Sequence, residues 1–552
     1  MRIFVILKSS EKAMKKRFIR FILPALAVGY FSSAHAQVDK DILNWYNGKD
    51  GMQTEAAYKL VKDKDGKEVI VAVIDSGMDI DHEDLQGQIW VNTDEIAGNG
   101  IDDDNNGYID DVHGWNFLGN ANGENQDATR LELTRIYAQL KPKYENKKAE
   151  DISSGDQKEY DLYKEVKAEY EKSRGEFEGY IKQIDTYINE IIPAALKSAE
   201  NELGADYTAK DVKKWKPADD QLKSMKQIAY AVKSGRLSIE QLEGQKESIQ
   251  SRLDCNYNID CDDRSLIGDD PYDITDTNYG NNDVEGPDAL HGTHVGGIIG
   301  SIRGNDLGGD GVATNVKLMS LRAVPNGDEH DKDIALAIRY AVDNGAVIIN
   351  GSFGKNYSPK GKYVYDAIKY AESKGVLFVH AAGNDSKDVD VEPNYPTSFY
   401  DFQTEEFTNY LTIGASSRYV KSKFRLFKKN DPSKLAAPFS NYGTTKVDVF
   451  APGLEIYNTI QGDTTYMTLQ GTSMASPMVA GAAAFLKSYY PTLTMVQIKD
   501  IMLKSARTYD GLQVVLPGTR NELVDFKTLS VTGGVVNLVN CVEMAEEMTA
   551  KQ

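Results

Sequence analysis

Short β-branched runs recur from about Glu68 onward: "VIVAVIDSG", "NVKLMSLRAV", "GAVIINGSFG", "GVLFVHAAGN", "YLTIGASS" and "VDVFAPG". Helical patterns such as "DKDIALAIRYAVDNG" and "YVYDAIKYAESKG" lie between several of them. Strands that alternate with helices pair in parallel, because only a helical crossover returns the chain to the same edge of the sheet. The expected fold is therefore α/β, a parallel sheet flanked by helices on both faces. In such sheets reactive groups gather at the carboxyl ends of the strands.

One stretch breaks the pattern. From Gln126 to Asp254 the chain turns rich in Lys, Glu and Tyr and loses its strand-like runs. Within it Tyr163, Val166, Tyr170, Ser173, Phe177, Tyr180, Ile184, Tyr187 and Ile191 follow alternating spacings of three and four, a heptad-like seam. Gly175 and Gly179 weaken that helix and Pro193 should end or kink it. Helix signals follow at 221–231 and 238–253. The expected organisation is a signal peptide over 1–36, a first part of the main domain over 37–125, an inserted helical, coiled-coil-like subdomain over 126–254, and the rest of the main domain over 255–552.

The start of the chain carries an address. "MKKRFIRFILPALAVGYFSSAHA" (Met14 to Ala36) has a basic beginning, an apolar stretch shorter than a membrane span, and small residues at Ala34 and Ala36. Export to the periplasm or the medium, with cleavage before Gln37 and no transmembrane anchor in the mature chain, is the expectation. A formal charge of −20 argues against nucleic acid as a partner. In an exported chain Cys255 and Cys261 are free to pair, and a zinc site there lacks further ligands at suitable spacing. Cys541, within "VVNLVNCVEMAEEM", reads as a buried free thiol.

Amide hydrolysis by a serine needs a nucleophile, a base, a carboxylate that orients the base, and donors for the oxyanion. Asp75 ends the run "VIVAVID", His291 opens "HGTHVGGIIG", Asn384 follows a strand in "VHAAGND", and Ser473 opens "SMASPMVAGAAAFLKSYY". Taken singly, each has a plain structural explanation: a turn Asp, a packed His, a capping Ser.

Together "VIDSG", "HGTHVGG", "AAGN" and "GTSMASPMVAG", in that order, resemble the active-site signatures of the subtilase family. The resemblance covers about 69–123 and 286–548, and "LRAVPNGDE", "INGSFG" and "VDVFAPG" add to it. It implies a subtilisin-like fold and a secreted serine endopeptidase. Ser473 would be the nucleophile and His291 the base. Asp75 would hold the imidazolium, and Asn384 with the Ser473 N–H would form the oxyanion hole. Ser476 would be turned into packing and His294 would be structural. Ser352, Phe353 and Gly354 resemble the segment on which a protein or peptide substrate lies extended, with 325–327 as the opposite wall. The chain departs from the family pattern in the long insertion between Asp75 and His291, which offers a surface for a protein partner or a lid. It departs again in the short stretch between Gln37 and Asp75, which leaves little room for a folded propeptide.

Two other readings compete. A non-catalytic protein-binding module on the same scaffold would be expected to lack one of the four groups, and all four are present. An esterase of another α/β fold would want G-x-S-x-G with its serine first in the triad order, whereas Ser473 comes last.

Calcium is the expected cofactor, and no organic cofactor is indicated. "DDDNNGYIDD" offers Asp102, Asp104, Asn106, the Tyr108 carbonyl and Asp110 at alternate positions with Gly107 at the turn, resembling an EF-type loop. The twelfth position is His113 rather than Glu, so that Asp110 or Asp111 would have to substitute.

Overall fold

In the computed structural model the expected runs become a nine-stranded sheet with order β8-β9-β7-β6-β5-β4-β1-β3-β2. The strands are β1 (Val69–Asp75), β2 (Gly114–Asn116), β3 (Val316–Arg322), β4 (Ile348–Gly351), β5 (Leu377–Ala381), β6 (Tyr410–Ser416), β7 (Val449–Pro452), β8 (Arg507–Thr508) and β9 (Gly534–Val535). All neighbours are parallel except β8 and β9. The structure describes residues 42–418, 420–421 and 430–550; the expected signal peptide lies outside them. No helix among the described residues is long and apolar enough to cross a membrane.

Strand alternation explains why the sheet is covered on both sides. Val69, Val71 and Val73 of β1 face one apolar core, while Ala72 and Ile74 face another. The first core is closed by helices Leu290–Gly300, Thr472–Tyr489, Met495–Lys504 and Leu538–Thr549, the second by Asp331–Asp343 and Gly361–Ser373. Burying a single Val or Ile side chain contributes roughly 1.5–3 kcal/mol, so the central strands are fixed by both faces. The Thr472–Tyr489 helix carries Ala480, Ala482, Ala483 and Ala484 fully buried, small residues that let it lie close to the sheet.

The described chain divides into two compact units. One comprises 42–171 and 254–550, the other 172–253. The segment expected to form a single insertion is thus shared between them. In the larger unit, helix Glu132–Tyr144 packs Leu133, Ile136, Tyr137, Leu140 and Tyr144 against Tyr160, Tyr163, Val166 and Tyr170. The smaller unit has its own core of Ala199, Tyr207, Val212, Trp215 and Ala229. Three of its helices begin on Thr208, Asp219 and Ser238, each of which accepts a first-turn backbone N–H.

The heptad seam from Tyr163 to Ile184 lies in one helix, Gln157–Thr186, which runs through Gly175 and Gly179 without a break. A π turn over Tyr187–Ile191 then leads into helix Ile192–Leu203, whose first turn takes Pro193. Cys255 and Cys261 form a disulfide, and Cys541 is buried and free.

Candidate active site

Asp75 stands at the carboxyl end of β1, between β3 and β4, and is 2% exposed. Its Oδ1 accepts the Ser76 N–H at 2.8 Å and the His291 Nδ1–H at 2.7 Å. A carboxylate can only accept, so the proton of the neutral imidazole sits on Nδ1 and leaves Nε2 as a base. His291 lies in the first turn of helix Leu290–Gly300. Gly292 brings that helix in: a Cβ there would lie 1.9 Å from the Gly77 carbonyl oxygen. Burial disfavours the imidazolium, but the charge and hydrogen bond of Asp75 outweigh it, and the His291 pKa is raised above its ordinary 6.5. His294, one turn on, is buried with Nε2 against the Ile456 and Met467 carbonyls, and burial pushes its pKa down to about 3.

Ser473 is half-buried in the first turn of helix Thr472–Tyr489. Its hydroxyl donates to the Ser352 carbonyl at 3.2 Å, and the Ser352 hydroxyl donates to the Ser473 carbonyl at 2.9 Å. Among the described residues no hydrogen bond joins Ser473 to His291. Ser476 is fully buried and donates to Asn350 Oδ1 at 2.8 Å.

Asn384 Oδ1 accepts from the Thr472 N–H at 2.8 Å and the Thr472 hydroxyl at 3.1 Å. That leaves its Nδ2 without an acceptor among the described residues. A Cβ on Gly471 would sit 3.5 Å from both Asn384 Nδ2 and the Ser473 N, so these two donors flank one space beside Gly471. Such a donor pair at a helix N-terminus suits a developing oxyanion. Thr472, which orients Asn384, was not singled out in the sequence, where it reads as an ordinary cap.

The two candidate substrate walls carry backbone groups without partners. The N–H and C=O of Gly354 make no hydrogen bond among the described residues, and neither do the Pro325 C=O and the Gly327 N–H. The Phe353 carbonyl instead accepts from buried His380 Nε2 at 2.8 Å.

The acidic loop gathers a set of groups different from the EF-type one. Glu95, Asp104 and Asp111 bring carboxylate oxygens within 4.8 Å of one another. Asp102 spends its oxygens on the Asn106 and Gly107 N–H groups, and Asp110, at φ +53°, on those of Asn99 and Gly100. Asn106 Nδ2 donates to Asp104 and Asp111, while the Tyr108 ring packs on Trp115 and Tyr340. Glu95 and Asp104 likewise accept local N–H groups, those of Asp103, Asp104 and Asp110 on Glu95 and that of Asn106 on Asp104. Glu95 lies upstream of the loop, where spacing gives no signal. Burial raises the Asp111 pKa to about 6, against hydrogen bonds from Tyr340, Asn106 and Asn92.

A model of the subtilase family (peptidase S8) matches residues 66–522. The chain is 38% identical over 218 residues to a thermophilic serine proteinase of Bacillus sp. strain AK1, a match spanning 39% of this chain and 46% of that protein. It is 33% identical over 219 residues to subtilisin DY of Bacillus licheniformis, spanning 39% of this chain and 70% of that protein. Subtilisin Savinase of Lederbergia lenta is 33% identical over 232 residues, with 42% of this chain and 75% of that protein covered. With the family match across more than half its length, the parallel sheet and the placement of Asp75, His291, Asn384 and Ser473 at its carboxyl edge, the chain belongs to the subtilase family of serine peptidases.

Proposed function

We propose that this chain is an exported serine endopeptidase that cleaves extended protein or peptide substrates through an acyl-enzyme on Ser473. The observation that carries this is the buried Asp75 holding His291 by Nδ1, together with a helix N-terminus that carries Ser473 and is bonded through Thr472 to Asn384. Ser473 Oγ attacks the scissile carbonyl carbon as His291 Nε2 takes its proton. The carbonyl electron pair moves to oxygen, where Asn384 Nδ2 and the Ser473 N–H receive it. His291 returns the proton to the departing amine, the C–N bond breaks, and water repeats the sequence to release the acid.

The Ser473 hydroxyl bonded to the Ser352 carbonyl fits a resting state, since catalytic hydrogen bonds often tighten only with substrate bound. A substrate strand laid along Ser352–Gly354 would offer its own N–H to that carbonyl and free the hydroxyl to turn toward His291. The unpaired groups of Gly354, with Pro325 and Gly327 opposite, support binding as an added strand.

The test is labelling of the purified protein with a fluorophosphonate, with the adduct mapped by mass spectrometry and casein hydrolysis measured alongside. An adduct on Ser473 is expected; a folded protein that neither labels nor cleaves casein would overturn the reading in favour of a scaffold used for binding. The raised His291 pKa sets a second expectation. The base must be unprotonated, so kcat/KM should fall on the acid side with a midpoint above 6.5. A midpoint at or below that value would contradict the geometry. The same shift stabilises the fold on the acid side, and that contribution is lost as pH rises through the raised value.

Calcium would be held by Glu95, Asp104 and Asp111, an all-oxygen set of the kind hard cations take, and would neutralise three carboxylates crowded together. At a calcium concentration near a hundred times Kd, binding would add about 2.7 kcal/mol to stability. Chelation should therefore lower the thermal midpoint of an inactive variant by several degrees, and Asp104→Asn should remove most of that dependence. An equal response to chelation in wild type and Asp104→Asn would place calcium elsewhere.

A further inference from the structure

The wall at 325–327 does not stand alone. Ala128 and Asn326 pair in parallel: the Asn326 N–H donates to the Asp127 carbonyl at 2.9 Å and the Thr129 N–H to the Asn326 carbonyl at 3.0 Å. In an extended strand successive residues present their backbone groups to opposite edges. Asn326 therefore faces 127–129, and the unpaired Pro325 C=O and Gly327 N–H face the other way. Gly327 must be glycine for this fit, since it sits at φ +147° and a Cβ would lie 2.2 Å from the Thr129 carbonyl oxygen.

One side chain locks the pair. Asn256, 5% exposed, donates both amide protons: to the Thr129 carbonyl at 2.7 Å and the Asn326 carbonyl at 2.9 Å. Its own carbonyl accepts the Thr134 hydroxyl at 2.7 Å and the Leu131 N–H at 3.1 Å. Its neighbour Cys255 is tied to Cys261, which closes a short loop around it. Behind that loop Arg130 binds Asp263 at 2.7 Å, and Thr129 donates its hydroxyl to the Asp328 carbonyl.

We propose that Asn256, seated by the Cys255–Cys261 disulfide, is a positioning residue for extended substrates, holding the 325–327 segment at the distance a substrate strand requires. This rests on the peptidase reading above. Asn256 touches neither Ser473 nor His291, so its loss should spare chemistry and weaken recognition of residues upstream of the scissile bond. Without its amide, the buried Thr129 carbonyl and the Asn326 carbonyl lose a donor each and the wall gains freedom that substrate binding must then remove.

The experiment compares fluorogenic substrates with the same residue before the cleaved bond, one with a single residue and one with four. Asn256→Ala is expected to raise KM for the four-residue substrate about tenfold, shrinking the long-over-short preference in kcat/KM by about the same factor. Its kcat and fluorophosphonate labelling rate should change less than about twofold, which separates positioning from catalysis. Cys255→Ser with Cys261→Ser should shift the preference in the same direction, and carries the test if Asn256→Ala does not fold. An unchanged long-over-short ratio overturns the proposal, as does an equal loss on both substrates that tracks a lowered unfolding midpoint. Wild type that labels but shows no length preference also overturns it and leaves the peptidase reading intact; wild type that neither labels nor cleaves removes both.

Discussion

Ser473→Ala is expected to abolish fluorophosphonate labelling and to lower peptide hydrolysis on the order of 10⁴- to 10⁶-fold, with stability unchanged. The neighbouring serine of the same motif should behave in the opposite way. Ser476 is fully buried and donates to Asn350 Oδ1, so Ser476→Ala leaves that acceptor short of a donor at a cost of about 1–3 kcal/mol. It should keep its labelling, because nothing it touches faces the space between Asn384 and the Ser473 N–H. The Ser473 hydroxyl, by contrast, has only the Ser352 carbonyl to lose, at half-buried depth, and the helix keeps its start through Thr472 and Asn384. Activity and stability measured on both variants therefore divide the two serines cleanly. A Ser473→Ala protein that still labels, or a Ser476→Ala protein that does not, would reverse their roles.

What made this site readable in the sequence was local. Asp75 ends a seven-residue strand whose first six residues are all apolar, and Gly292 stands where a side chain would strike the Gly77 carbonyl. Strand ends and close-approach glycines leave marks within a few residues. The carboxyl edge of each major strand consequently fell where the β-branched runs stop, as with Leu377–Ala381 before Asn384.

The unread parts depend on pairing across long separations. Nothing in "DATRLE" announces that Ala128 will pair with Asn326, or that Asn256 will sit between them. The heptad seam gave the helix correctly, but its buried members Tyr163, Val166 and Tyr170 serve the core of the larger unit, and periodicity cannot say which partner a face will find. In the acidic loop, spacing shows which groups alternate but not which carboxylates converge, so the closeness of Glu95 and Asp111 to Asp104 was not legible.

The same limit hid a buried charge next to the candidate substrate segment. Lys355, just after the candidate substrate segment, is only 4% exposed. Its ammonium reaches Glu132 at 2.8 Å, Asp331 at 3.0 Å and the Glu329 carbonyl at 2.7 Å. It thereby ties the segment after Gly354 to the one after Gly327. Arg135 shares Glu132 at 2.6 Å. Burial alone would raise the Glu132 pKa, but Arg135 and Lys355 together bring it down to about 2. Lys355→Met keeps most of the stem volume and removes the charge, leaving Glu132 and Asp331 buried with one cation fewer. Breaking such a pair on one side costs about 3–5 kcal/mol, more than the pair itself need contribute.

The measurement belongs in a Ser473→Ala background, where unfolded chains cannot be digested by folded ones, and is best made by denaturant titration. The pH dependence carries the sign. In the parent, Glu132 is held ionised by its cations, and that stabilisation is present above its unfolded pKa and lost as pH falls toward about 2. In Lys355→Met, Glu132 binds a proton more readily than in the parent, which relieves its repulsion with Asp331 in acid. The gap between the two proteins should therefore be widest near neutral pH and narrow as pH falls below about 5. A gap independent of pH would mean that Lys355 acts through packing of its stem rather than through its charge.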